Sequence, residues 1–254
     1  MSTADRAELG TVSVSGLSFC YRKGTVDEVV LAESYQLERF AMPDLTATLR
    51  PVIVDVGAHI GAFAAMVARS APGAAVYALE PAQSSFGLLE KNIAANSLAN
   101  VTALRLALGD RDARVPLHHA AENWGHSLSK EMAAGTTSEL VPCQTLGSFL
   151  AAHSLATVDF MKMNIEGAEY DVLLSASRAD LRRVRRLTVE VHPVRGRHGD
   201  DIGRRLRDCG FGVAVIWSQD EAGKGWLQAA LANNEQSAAA YGASGSSARS
   251  SHAG

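Results

Sequence analysis

Between about Arg50 and Asn233, short runs of apolar and β-branched residues alternate with windows in which apolar side chains recur every three or four positions. That alternation predicts a parallel sheet with helices packed on both faces. "PVIVDVG" predicts a first strand near Val52 to Val56, and "AVYALEP" a second near Val76 to Glu80. "VTALRLALG" predicts a third from Val101 to Ala107, "VDFMKMN" a fourth, "LTVEVH" a fifth, "FGVAVIW" a sixth and "GWLQAALA" a seventh. Helices are predicted over Ala62 to Ser70, Ser84 to Asn96, Leu146 to His153, Tyr170 to Ala176 and Asp201 to Cys209. In the second of these, Phe86, Leu89 and Ile93 have the spacing of a buried stripe. The fold class that follows is α/β, a doubly wound and mostly parallel seven-stranded sheet of Rossmann-like type.

Residues 1–50 read as a mixed N-terminal cap, 51–232 as the main domain, and 233–254 as an Ala/Ser/Gly-rich tail. The tail has too few large apolar groups to offset the entropy of ordering it, so disorder is expected there. "RVPLHHAAENWGHSLSKEMAAGTTSELVPCQT" is a long insertion between the third and fourth strands. Insertions at the carboxyl ends of strands are where open α/β sheets usually carry function.

Composition narrows the setting. With 254 residues, 47% of them apolar, the chain can bury a sizeable core. A net charge of -3 supplies no global field for gripping a polyphosphate, so nucleic acid is not an expected partner. Cys20, Cys143 and Cys209 stand outside any metal-ligand spacing, which suits a reduced, cytoplasmic protein without structural zinc. No apolar leader and no run of roughly eighteen apolar residues is present, so no membrane segment is expected.

"VDVGAHIG" places Asp55, Gly57, Ala58, His59 and Gly61 at the turn from the first strand into its helix. Glycine there allows a tight turn and close approach of a ligand, and helix N-terminal amides favour an anionic group. Glu80 closes the second strand, where a carboxylate can accept hydrogen bonds from both hydroxyls of a ribose. His59 fills the position of the second glycine of the dinucleotide fingerprint, which disfavours NAD. The DxGxxxG form instead resembles motif I of class I S-adenosylmethionine-dependent methyltransferases.

The resemblance runs on through "GTVDEVVLAESY", "YALEP", "NVTALRLALGDRD", "GHSL", "VPCQTL", "VDFMKMNIEGAEYDVLL" and "LTVEVHP". Together these blocks resemble an FkbM-type methyltransferase from about Gly24 to Pro193. The resemblance implies S-adenosylmethionine as cofactor, its methionine part along the Asp55 to Gly61 turn and its ribose on Glu80. It also puts Leu108 and Asn164 at the cofactor. Asn164 is a departure, because the family usually has aspartate there.

Lysine and carboxylates interrupting an apolar strand need a partner or a use, since burying a charge unpaired costs several kcal/mol. In "KMNIEGAEYDVL", Lys162 is expected to pair with Asp55 or Glu190. Lys162, Glu166, Glu190 and His192 form the expected catalytic group. His192 is the expected base, since a neutral imidazole titrates near pH ~6.5, with Glu190 or Glu166 orienting it. A metal is a weaker second reading: Asn164, Glu166, Glu190 and His192 offer a partial oxygen-rich set for magnesium or manganese, but Asn164 removes a charge from it.

Within the insertion, Trp124, His126 and Ser127 are candidates for the acceptor, with a plain β-turn as the alternative. His118 and His119 are expected on a solvated hairpin. The arginines of "RADLRRVRRL" and "RGRHGDDIGRRLRD" are expected on solvated helix faces. The expected activity is methylation of a hydroxyl on a small molecule such as a sugar, glycoside or polyketide-like metabolite, an acceptor class that comes from the resemblance. An N- or carboxyl-directed methyltransferase, or a binding module without catalysis, is the alternative. "NIEG" stands where nucleic-acid amino methyltransferases have Asn-Pro-Pro and an aromatic, so base methylation is not expected.

Overall fold

The computed structural model describes residues 7–34, 40, 42–45, 48–119, 127–128, 137–218 and 222–232. An N-terminal hairpin of β1 (Leu9–Val14) and β2 (Leu17–Arg22) leads into α1 (Val26–Ser34). There follow β3 (Val52–Val56), α2 (Ala62–Ser70), β4 (Ala75–Leu79), α3 (Gln83–Ala95), β5 (Val101–Leu104), β6 (Ala107–Leu108), β7 (Ala113–His118) and β8 (Ser138–Gln144). The second half holds α4 (Leu146–Ala152), β9 (Phe160–Met163), α5 (Glu169–Ser175), α6 (Arg178–Leu181), β10 (Arg186–Val191), α7 (Gly199–Asp208), β11 (Phe211–Trp217) and β12 (Gly225–Leu231).

Seven strands make the central sheet in the order β11-β12-β10-β9-β3-β4-β5. All are parallel except β12, which runs antiparallel to β10 and β11. The seven expected strands are these seven, and the doubly wound α/β class holds. Because side chains alternate, each central strand feeds two cores. Val54, Val56, Met161 and Met163 pack with α4, α5 and α7 on one face. Ile53, Phe160, Val76 and Ala78 pack with α2, α3 and the N-terminal hairpin on the other.

The register carries the polar residues with it. Asp55 pairs across the sheet with Lys162, and Lys162 with Thr188, so these three lie in one row on the α2 side. Strand-to-helix turns at the carboxyl ends of β3, β4, β9 and β10 then gather at one edge of the sheet, where the order reverses direction around β3.

Three expectations change. The third strand stops at Leu104 and does not reach Ala107. Ala107 and Leu108 turn away to pair with Cys143 and Gln144, and β6, β8 and β7 form a separate three-stranded sheet from the insertion. His118 ends β7 of that small hairpin, but His118 and His119 are half-buried, with His119 Nε2 3.4 Å from Glu139. Helices α1 and α6 were not legible from periodicity. On α3 the buried row is Ser85, Leu88, Leu89 and Asn92, while Phe86 and Ile93 are only partly covered.

The reason is the hairpin. Asn92 accepts from Cys20 N at 2.7 Å and donates to Cys20 O and Ile60 O, and Asn96 does the same for Ser18 N and O at 2.7 Å each. Two asparagine amides thus bond the backbone of β2 as a neighbouring strand would. Trp124, His126 and the C-terminal tail lie outside the described residues.

Candidate active site

Where β3 meets α2, two glycines take left-handed backbone, Gly57 at φ 78° and Gly61 at φ 86°. A Cβ on Gly57 would stand 1.9 Å from Asn164 O, and one on Gly61 2.5 Å from the Leu89 side chain. These glycines are therefore required by the approach of β9 and of α3 to the turn. The turn's amides face inward: Gly57 N and Ala58 N donate to Leu79 O, and His59 N donates to Glu80 Oε2 at 2.9 Å. The expected anion-binding row of amides at Gly57 to His59 is thus already spent on the protein itself.

Lys162 lies beneath the turn. Its Nζ is 3.0 Å from Asp55 Oδ1 and donates to Gly57 O at 3.0 Å. Of the two partners expected for Lys162, the structure has Asp55. Asp55 is fully buried and off the surface of the cleft, and burial raises its carboxyl while Lys162 pulls it down. The ion pair fixes the carbonyl side of the glycine turn.

A cleft with about 1190 Å³ of non-atom space, partly open to solvent, lies over this turn. Gly57, Ala58, His59, Glu80, Leu108, Lys162, Asn164, Glu166 and Glu190 all face it; Asp55, Gly61 and His192 do not. Glu80 accepts from Ala82 N and His59 N, yet burial outweighs these bonds and pushes its carboxyl up to about 7. Burial also lowers His59 to about 4, so its ring is neutral. A carboxylate at a strand end, a glycine turn beside it and the apolar wall of Pro81, Leu106, Ala107 and Leu108 fit a ribose with an amino-acid tail on one side and a flat base on the other.

The far end of the cleft holds the chemistry. Glu166 follows β9 in left-handed backbone, at φ 53°, which a non-glycine residue adopts only when its surroundings hold it there. Its carboxyl is raised by burial, with the charge of His192 opposing. Behind it His192 stands between two glutamates, Nε2 3.3 Å from Glu166 Oε2 without the alignment of a hydrogen bond, and Nδ1 3.3 Å from Glu169 Oε1. Burial alone would lower His192, but its bond to Glu169 and the charges of Glu166, Glu169 and Glu190 raise it to about 9.

His192, the expected base, does not line the cleft. The surrounding carboxylates favour its protonated form, and β10 ends at Val191, so the ring does not follow Glu190 into the cleft. Glu190 instead accepts from Asn164 Nδ2 at 2.6 Å, with Lys224 Nζ 3.5 Å from its other oxygen.

Glu169 was missed by sequence reasoning. It is fully buried, accepts from His192 N at 2.7 Å and from Gly167 N at 2.8 Å, and so ties the Glu166 turn to the end of β10. The second glutamate of "EGAE" in a buried turn was the available signal.

Arg22 and Asp27 were also missed. Both are buried, joined by Nε and Nη2 to the two carboxylate oxygens at 2.8 Å each, and Arg22 Nη2 reaches His59 Nε2 at 3.3 Å. Val26, Val29 and Val30 of α1 complete the wall above them.

A metal does not fit this set: Glu190 is engaged by Asn164 and Lys224, and His192 lies behind Glu166 and does not line the cleft. Among the described residues no group of three or more His, Cys, Asp and Glu side chains is placed to hold a metal ion, and no helix is long and apolar enough to cross a membrane.

Residues 55–213 match the Methyltransferase FkbM domain. The methyltransferase sdnD of Sordaria araneosa is 27% identical over 204 residues, covering 67% of this chain and 78% of that protein. The 31-O-demethyl-FK506 methyltransferase FkbM of Streptomyces tacrolimicus is 26% identical over 245 residues, covering 84% and 88%. Among solved structures, a precorrin-6y C5,15-methyltransferase from Geobacter metallireducens aligns with a TM-score of 0.47 and 14% identity over 84% of this chain and 92% of that one. The matched span runs from Asp55 beneath the cleft through both glutamates of the Glu166 turn and His192, so the chain belongs to the FkbM methyltransferase family and is an S-adenosylmethionine-dependent methyltransferase.

Proposed function

We propose that the enzyme methylates a hydroxyl of a small molecule, with Glu166 as the base. The observation that carries this reading is Glu166 itself: a carboxylate in the cleft, made more basic by burial and backed by an imidazolium. An alcohol needs a proton acceptor, whereas a carboxylate acceptor would need none and would meet Glu166 and Glu190.

The cofactor supplies an activated methyl group on a sulfonium. Glu80 would hold its ribose, the Gly57 to His59 turn would lie along its amino-acid part without lending its amides, which are bonded within the protein, and Leu106 to Leu108 would face its base. Glu166 would accept the proton of the acceptor hydroxyl on its Oε as the methyl group is transferred. His192, fixed by Glu169, stabilises the Glu166 carboxylate before transfer.

Apart from Glu80, the charged residues lining the cleft each stand beside an opposite charge: Lys162 beside Asp55, Glu166 beside His192, and Glu190 beside Lys224. With Val26, Val29, Val30, Leu117 and Leu128 opposite, this favours an uncharged acceptor with an apolar face. The name of the Streptomyces relative gives an O-demethyl compound as its acceptor, which supports the same chemistry.

The test is a screen of neutral polyols, glycosides and macrocyclic alcohols with cofactor labelled in the methyl group. Label in a product that survives mild base is the expected result, as an ether resists hydrolysis. Label released by mild base would mean an ester and a carboxylate acceptor, and label in a titratable amine would mean transfer to nitrogen. Cofactor binding with no transfer to any acceptor class would leave the binding-module reading.

Binding of S-adenosylhomocysteine should depend on pH through Glu80. Free, its carboxyl sits at about 7, and a ribose diol donating to it favours the ionised form. Affinity should therefore weaken as pH falls below about 7, by up to about tenfold per unit, with a proton released on binding near neutrality. Calorimetry in buffers of different ionisation heat measures that proton directly. No proton exchange, or the same pH dependence in Glu80→Gln, would assign the ribose to another group.

A further inference from the structure

We infer that Ser127 is a positioning residue for Glu166, coupling the wall of the acceptor end of the cleft to the carboxylate that takes the proton. The inference rests on the role of Glu166 proposed above. Ser127 is fully buried, and its Oγ donates to Glu166 O at 2.6 Å. That carbonyl belongs to the one residue of the turn that holds left-handed backbone without being glycine. A carbonyl so placed stays put only while its partner does.

Ser127 is itself fixed by a two-way bridge to the end of β7: His118 N donates to Ser127 O at 2.8 Å and Ser127 N donates to His118 O at 3.0 Å. The residues flanking this bridge, Leu117 and Leu128, face the cleft on the same wall. A molecule resting against Leu117 and Leu128 therefore bears on the element whose hydroxyl holds the Glu166 turn. Glu169 pins the other side of that turn through Gly167 N, on β10's side of the cleft and independently of the insertion. The Glu166 backbone is thus held from two directions, and only the Ser127 side belongs to the acceptor wall.

Ser127→Ala deletes the hydroxyl at nearly constant volume, and Ser127→Thr restores it. Hydrogen exchange of the amides at 166–168 is followed in both variants and in the wild type, each saturated with S-adenosylhomocysteine. The Glu166 side-chain carboxyl is titrated alongside by carbon-13 resonance. Exchange in Ser127→Ala should quicken by about tenfold or more at 166–168 and the Glu166 titration should move, while cofactor-product affinity stays within about twofold and Ser127→Thr returns toward wild type. With an acceptor from the screen, kcat should fall by about ten- to a hundredfold.

Unchanged exchange and an unmoved Glu166 titration in well-folded Ser127→Ala overturn the inference. So does quickened exchange spread over the whole sheet with a loss of cofactor-product affinity, which would make Ser127 a general structural residue. Failure of the wild type to bind S-adenosylhomocysteine would instead count against the cofactor site, and a moved Glu166 titration without any acceptor in the screen would leave the coupling standing while the acceptor reading fell.

Discussion

Glu166→Gln should lower kcat by about a hundred- to ten-thousandfold, the range expected when a general base is removed, while S-adenosylhomocysteine binds within about twofold of wild type. Gln keeps the volume and the contacts of the turn but accepts no proton at physiological pH. The separation between kcat and cofactor affinity is what distinguishes loss of a base from collapse of the cleft. The same assignment fixes the pH profile. Burial raises the Glu166 carboxyl above its ordinary range, so activity should rise from acid pH with an apparent pKa above that of a free glutamate as the base ionises. Activity should fall again near pH 9, where His192 loses the proton that Glu169, Glu166 and Glu190 hold on it. His192→Asn should lose that upper limb, and Glu166→Gln the lower one. With cofactor saturating, so that Glu80 does not contribute, a single rise in kcat near pH ~6.5 that persists in Glu166→Gln would return the base to a neutral His192.

The choice between Glu166 and His192 shows what one sequence can and cannot carry. Strand alternation and turn chemistry made the central sheet legible, because the seven strands are short apolar runs bounded by Gly, Pro and polar residues. The polar interruption at Lys162 called for a partner and left Asp55 or Glu190 open; the register of β3 against β9 is what selects Asp55. Alternation does not reach His192, because β10 ends one residue earlier and the next side chain is no longer governed by the pleat. Protonation was illegible for a related reason. A histidine's charge depends on which carboxylates surround it, and Glu169 reaches it from α5 across the end of the sheet. Spacing within "EGAE" places two glutamates near one another but does not say that one is fully buried and the other faces a cleft.

The N-terminal segment was harder still. Its amphipathic signal is weak because β2 meets α3 through asparagine amides and α1 through the Arg22–Asp27 ion pair, neither of which leaves an apolar period in the sequence. Arg22 and Asp27 lie only five positions apart, and sequence alone gives no reason to prefer a buried pair over a solvated turn. What makes the pair consequential is its further partners, since the guanidinium also reaches Ser85 Oγ at 3.1 Å and the His59 ring.

Asp27→Ala should accordingly cost about 3–5 kcal/mol of stability, because it leaves the Arg22 charge buried without its carboxylate. An exposed pair of the same geometry would cost under about 1 kcal/mol, and the two cases separate on a denaturant curve. At roughly 2–4 °C per kcal/mol for a chain of this size, the melting temperature should drop by roughly 10 °C. Arg22→Met combined with Asp27→Leu removes both charges and keeps apolar volume, so it should recover most of the loss. The double variant should nonetheless bind S-adenosylhomocysteine more weakly than wild type, since His59 would lose the guanidinium at its Nε2 and with it one constraint on the turn that carries the Glu80 contact. Recovery of stability without recovery of affinity would mean that the N-terminal segment, outside the family-matched span, is part of the cofactor site. Full recovery of both would reduce the pair to a fastening of the hairpin against α3.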